Sequence, residues 1–156
     1  MVTVNHPHVA VAASRRSEEP DSTPAAALSA TAATDAAVPS LRHFVQDTAA
    51  RWAVPTETID GLSLVVTELV TNVVLHSGSP DVTVLITHHG AEVHLEVKDA
   101  GTWQTRTTPR LVPEDDDAAC GRGLDLVKHC CSWWLAFLSP LGTRVVACLP
   151  VAANAG

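Results

Sequence analysis

The sequence predicts an α+β fold, a two-layer sandwich with helices on one face of a mainly antiparallel mixed sheet. Two patterns lead there. Between Leu62 and His76 the apolar residues Leu62, Val65, Val66, Leu69, Val70, Val73 and Val74 recur at three- and four-residue steps, which places them on one stripe of a helix. Downstream, Val82, Val84 and Ile86, then Val93, Leu95 and Val97, alternate with polar or smaller residues, as strands buried on one face do. A chain of 156 residues has room for one such core and not for two ordinary domains.

In chain order, residues 1–24 mix charges, Pro, Ser and Ala without a period, too little apolar surface to offset ordering entropy, and are expected to form a flexible tail. The domain is expected over residues 25–151, with residues 152–156 as a short C-terminal tail. Ala25 to Ala32 reads as a weak edge strand, alanine being an indifferent strand former. Asp35 is the expected N-cap of a first helix, about Ala36 to Trp52, whose Val38, Leu41, Val45 and Trp52 share a face. Pro39 falls in its first turn, where a missing N–H costs little, and Pro55 stops it. The second helix, entered through Thr56, is closed by Ser77-Gly78-Ser79-Pro80. A hairpin turning at His89-Gly90 follows, then an aperiodic stretch from Thr102 to Ala119 holding Pro109, Pro113 and Asp115 to Asp117. A loop of that length in a compact domain is usually functional or disordered. Gly121-Arg122-Gly123 opens a short helix carrying Leu124 and Val127, and SWWLAFLS and TRVVACL form a last hairpin around Pro140-Leu141-Gly142.

The net charge of −7 argues against a duplex-DNA binder, which presents a basic face. Cys120, Cys130, Cys131 and Cys148 show no C-x-x-C spacing, so reduced, buried thiols are expected. No uninterrupted apolar run reaches the roughly 18 residues that span a bilayer. The short HVAVAA run precedes Arg15 and Arg16, the reverse of a secretory signal, so a cytoplasmic location is expected. Eight histidines raise the question of a metal, yet His88-His89 falls in the predicted turn and His129 beside Cys130 offers no tetrahedral set. Trp133 and Trp134 read as the inner and outer partners of one strand rather than a nucleotide-stacking pair.

Three local patterns carry chemistry. Glu68 and Asn72, four apart, stand one above the other beside the apolar stripe of the second helix. An acid there can accept a proton or orient water, and an amide oxygen is a hard, uncharged ligand suited to Mg²⁺. The bland alternative is a hydrogen-bonded surface pair worth a few tenths of a kcal/mol. Asp99-x-Gly101 at a strand end sets a carboxylate, able to accept from an exocyclic amine, beside a backbone that a flat ring can approach; an ordinary turn would look the same. Gly121-x-Gly123 before a helix exposes N–H groups that attract phosphate, with Arg122 adding a cation, although loop punctuation explains a lone G-x-G equally well.

Their order is more specific than any one of them. Glu68-x-x-x-Asn72, Asp99-x-Gly101, a long lid, Gly121-x-Gly123-Leu124, and Gly142-Thr143 leading to Leu149-Pro150 resembles the N, G1, G2 and G-T boxes of the GHKL ATPase superfamily, the Bergerat nucleotide-binding fold. TELVTNVVLH and GRGLDLV look most like the stand-alone bacterial anti-sigma-factor serine/threonine kinases. The resemblance covers about Leu28 to Pro150 and implies a histidine-kinase-like ATPase domain. It implies ATP and Mg²⁺ as cofactors, with Glu68 as catalytic base or water-orienting acid and Asn72 as the metal-holding residue. It further implies that Asp99 binds the adenine amino group with support from the Thr143 hydroxyl, that Gly101 gives room to the ring, and that Gly121, Arg122, Gly123 and Leu124 wrap the phosphates. His76 stands where this subset commonly has histidine, and Trp103 replaces the second glycine of a fuller first Gly box.

The implied function is phosphorylation of an antagonist protein by a kinase that also regulates a sigma factor, without direct nucleic-acid or membrane binding. Pairing of two copies through the first-helix region and sheet edge is also implied. The competing reading is a nucleotide-gated binding module without significant kinase activity. The catalytic half of a sensor histidine kinase fits poorly, because the segment before Ala25 is too short and polar for the helical hairpin that carries the phospho-acceptor histidine.

Overall fold

The computed structural model describes residues 2–3, 24–102 and 127–151. In chain order it contains β1 (Val2–Thr3), β2 (Ala25–Ala32), α1 (Ala37–Arg51), α2 (Thr56–His76), β3 (Asp81–His89), β4 (Glu92–Asp99), β5 (Trp133–Ser139) and β6 (Gly142–Pro150), with a helical turn at residues 127–130. The strands form one sheet in the order β1-β5-β6-β4-β3-β2, and every described pairing is antiparallel. The mixed character expected from the sequence is therefore absent among the described residues. Short hairpins connect β3 to β4 and β5 to β6, and a hairpin can only pair its strands antiparallel.

The strand alternation resolves into rows. Val82, Val84 and Ile86 of β3, Val93, Leu95 and Val97 of β4, and Val145, Ala147 and Leu149 of β6 are buried and belong to one core with the helices. From α2 that core takes Leu62, Val65, Val66, Leu69, Val70 and Val73, and from α1 Leu41, Val45 and Ala49. The stripe read from the sequence is thus the stripe that packs, since burying apolar area is the dominant favourable contribution to folding. By length and composition alone α2, with 21 residues and a mean hydropathy of 1.5, could cross a membrane, contrary to the expectation of no such segment. Leu62, Val65, Val66, Leu69, Val70 and Val73 of that helix are buried in this core, while Leu75 is exposed.

Several local expectations are corrected. Asp35 does not cap α1; the N-cap is Ala36, which has no side-chain cap hydrogen bond, and the Ala37 amide donates to the Thr34 carbonyl at 2.8 Å instead. The second helix does begin at Thr56, as expected, with Glu57 in its first turn to complement the helix dipole. His88 and His89 end β3 rather than forming the turn, and the reversal falls on Gly90 and Ala91. Within the expected tail, Val2 and Thr3 pair with Phe137 and Ala136 of β5. Residues 1 and 4–23 of that tail lie outside the described residues, as do Cys120 and the acidic segment Asp115 to Asp117. Cys130, Cys131 and Cys148 are free thiols, but only Cys148 is buried as expected, Cys130 and Cys131 being half-buried. Trp134 packs against the core while Trp133 stays partly exposed, the reverse of the expected inner and outer order, because Trp134 pairs with the buried Ala147 on the helix-facing side of β6.

Candidate functional site

Asp99 sits where an apolar residue would be expected. It follows Val93, Leu95 and Val97 on the helix-facing side of β4, is 4% exposed, and pairs in register with Thr143 of β6, which is 5% exposed. A carboxylate is costly to bury unless hydrogen bonds hold it. The Gly101 amide donates to Asp99 Oδ1 at 2.8 Å, an Asx turn that fixes the carboxylate at the end of the sheet.

Two glycines allow this end to close. A side chain on Gly101 would collide with the Ser77 carbonyl and the Ser79 amide, and one on Gly142, whose φ is +139°, would collide with the Asp99 carbonyl. The chain following β4 is therefore pressed against the C-terminal end of α2, and the start of β6 against the end of β4. The space beside Gly101, expected from the sequence to admit a ring, is occupied on its Cβ side by the Ser77–Ser79 backbone.

Two hydroxyls tie these parts together. Ser77 Oγ donates to the Val73 carbonyl at 2.9 Å and accepts from the Ser79 amide at 3.0 Å. Ser79 Oγ donates to the Asp81 carbonyl at 2.6 Å and accepts from the Ala100 amide at 3.0 Å. The last turn of α2, the start of β3 and the Asp99–Gly101 turn thus form one hydrogen-bonded unit. Sequence reasoning took Ser77 to Pro80 only as a helix stop; paired serines after a helix were the signal, since their hydroxyls readily bond nearby backbone.

Glu68 and Asn72 stand on α2 leading toward this unit, both half-buried beside the buried Leu69 and Val73. At a rise of ~1.5 Å per residue, Asn72 lies ~7.5 Å and Glu68 ~13.5 Å back along the axis from Ser77. His76, the last residue of the helix, is exposed. The structure thus brings Asp99, Gly101 and Thr143 together at one end of the sheet and sets Glu68 and Asn72 on the helix that abuts it. Gly121, Arg122, Gly123 and Leu124 lie outside the described residues.

The donor set fits a nucleotide and a hard cation. Asp99 offers an oriented, desolvated acceptor of the kind an amino group on a flat base requires, and Asn72 an uncharged oxygen of the kind Mg²⁺ accepts.

A search of curated protein sequences finds no match. Among solved structures, a crystal structure of the RsbU and RsbW domains of Rv1364c from Mycobacterium tuberculosis matches with a TM-score of 0.64 at 18% identity. The match covers 83% of this chain and 34% of that one, so the present chain spans about a third of the neighbour's length. The model of the histidine kinase-like ATPase domain matches residues 31–146, a span that contains Glu68, Asn72, Asp99, Gly101 and Thr143. With the buried carboxylate, its glycine turn and the helix bearing Glu68 and Asn72 all inside that span, the chain belongs to the histidine kinase-like ATPase domain family.

Proposed function

We propose that this chain binds ATP with Mg²⁺ and acts in the cytoplasm as an anti-sigma-factor-type protein serine/threonine kinase, transferring phosphate to an antagonist protein and thereby regulating a sigma factor. The observation that carries the reading is Asp99, buried, held by the Gly101 amide and paired with Thr143 at the end of the helix that presents Asn72 and Glu68. Likeness to a structure that includes an RsbW domain supports the anti-sigma-factor side of the proposal.

Each residue has a task that follows from its place. Asp99 accepts from the adenine amino group, and Thr143, its cross-strand partner, supports that contact. Asn72 would hold Mg²⁺, which would supply charge compensation to the phosphates, and Gly121 to Leu124 are assigned to the phosphates by their motif alone. ATP supplies a γ-phosphoryl group whose transfer needs positioning and charge compensation more than covalent help from the protein. Glu68, one turn before Asn72 on the same stripe, takes the proton of the incoming Ser or Thr hydroxyl.

Radiolabel transfer from ATP to a candidate antagonist protein, wild type against Glu68→Gln with ATP affinity measured in parallel, tests the assignment. Binding survives while transfer falls roughly a hundredfold or more, the usual scale for losing a general base. Equal transfer rates would remove the catalytic role and leave a nucleotide-gated binding module.

A further inference from the structure

On the face of the sheet turned away from α1 and α2, three side chains unused by the nucleotide site converge. His94 of β4 pairs directly with Cys148 of β6, and Glu92, two residues along β4, falls on the same face. One ligand atom from each of the three lies within 4.8 Å of the other two. His94 Nε2 and Glu92 Oε2 are 3.3 Å apart. Cys148 is fully buried, whereas the side chains of His94 and Glu92 are 29% and 48% exposed, so the cluster has a closed floor and an open mouth.

We infer that Glu92, His94 and Cys148 form a binding site for a zinc-class divalent metal ion. The donor set is one sulfur, one imidazole nitrogen and one carboxylate oxygen, the mixture that Zn²⁺ accepts and that Mg²⁺ or Ca²⁺, which prefer all-oxygen sets, do not. Ligands about 2.0–2.3 Å from a tetrahedral zinc stand roughly 3.3–3.7 Å from one another. The His94–Glu92 separation already has that value, and no spacing in the group exceeds 4.8 Å.

His89 is the candidate for a fourth ligand. It pairs with Glu92 across β3 and β4, and its ring centroid lies 5.0 Å from that of His94. Trp133, the β5 partner of Cys148, meets the His94 ring edge-on at 5.4 Å and limits its movement. On binding, the Cys148 S–H bond breaks, a metal–sulfur bond forms and the proton leaves to solvent, while His94 coordinates through a neutral nitrogen. The bound ion clamps β4 to β6 and, through His89, to β3. Separated from Asp99 by roughly 17 Å of strand and by the thickness of the sheet, this site stands or falls independently of the nucleotide reading.

Cobalt titration of the untagged, chelator-treated full chain, followed by displacement with zinc, tests the site. One cobalt ion binds per chain, with a thiolate-to-cobalt charge-transfer band in the near ultraviolet and the intense visible bands of tetrahedral coordination. Cys148→Ser abolishes the charge-transfer band, Cys130→Ser and Cys131→Ser retain it, and His94→Gln and Glu92→Gln each weaken affinity roughly tenfold or more. The last two side chains are partly exposed and their replacement leaves the fold intact, so they decide the matter even if Cys148→Ser fails to fold. Absence of a charge-transfer band, its loss in Cys130→Ser or Cys131→Ser, or unchanged affinity in His94→Gln overturns the proposal.

Discussion

Gly101 shows how one residue can be read correctly as necessary and differently as to cause. Its position demands the absence of a side chain because the Ser77 carbonyl and Ser79 amide take the Cβ space. Gly101→Ala is therefore expected to destabilise the fold by about 1–3 kcal/mol through overpacking. Urea unfolding measures this, and an unchanged midpoint would mean that the turn relaxes freely. Ser79→Ala removes the hydroxyl shared by the Asp81 carbonyl and Ala100 amide, and is expected to cost about 1–3 kcal/mol by the same measurement. The thiols make a pH-dependent contribution. Burial, reinforced by Cys130 and Cys148, pushes Cys131 up to about 12 from an ordinary value of 9.0; burial, reinforced by the charge and hydrogen bond of Glu92, does the same for Cys148. Between those values the unfolded chain loses the protons first, so stability is complete below about pH 9 and declines as pH rises toward about 12. Urea midpoints recorded across that range should fall, and less steeply in Cys131→Ala.

At the scale of elements, α2 serves both the core and the site. Its stripe carries Leu62 and Leu69 into the core while its border holds Glu68 and Asn72. Leu62→Ala is expected to cost about 2–5 kcal/mol, the range for emptying a packed core position. Circular dichroism during denaturation checks it. The helix and strand periods were legible because they are local: each depends on the spacing of apolar residues within one segment. The edge strand Ala25–Ala32 was legible for the same reason despite its weak composition. The start of α1 was not, since Asp35 has a capping side chain but the backbone places Ala36 at the cap. Pairing across strands was not legible either. Asp99 opposite Thr143, and Glu92 and His94 beside Cys148, depend on register between distant segments, which no linear spacing reveals. β2 ends the sheet, and its outer edge pairs with no strand among the described residues. Such an edge invites a partner, and light scattering is expected to give a dimer, whereas a monomer at all concentrations would remove the implied pairing.

For the whole molecule, the nucleotide reading rests on agreement between levels. Ordered motifs in the chain, a two-layer antiparallel fold, a buried carboxylate at the sheet end and a family match over residues 31–146 converge on an ATPase domain. The assignment of the glycines and Arg122 to the phosphates rests on their motif alone, since they lie outside the described residues, and Asp99 only gained its weight once the fold showed it buried and oriented. Calorimetric titration with ATP, with and without Mg²⁺, tests the central claim most directly, using wild type and Asp99→Asn. The account predicts Mg²⁺-dependent binding to the wild type and a loss of roughly tenfold or more in Asp99→Asn, which leaves the shape intact but removes the charged acceptor. No heat of binding at millimolar Mg-ATP, or equal affinity in the two proteins, would contradict it.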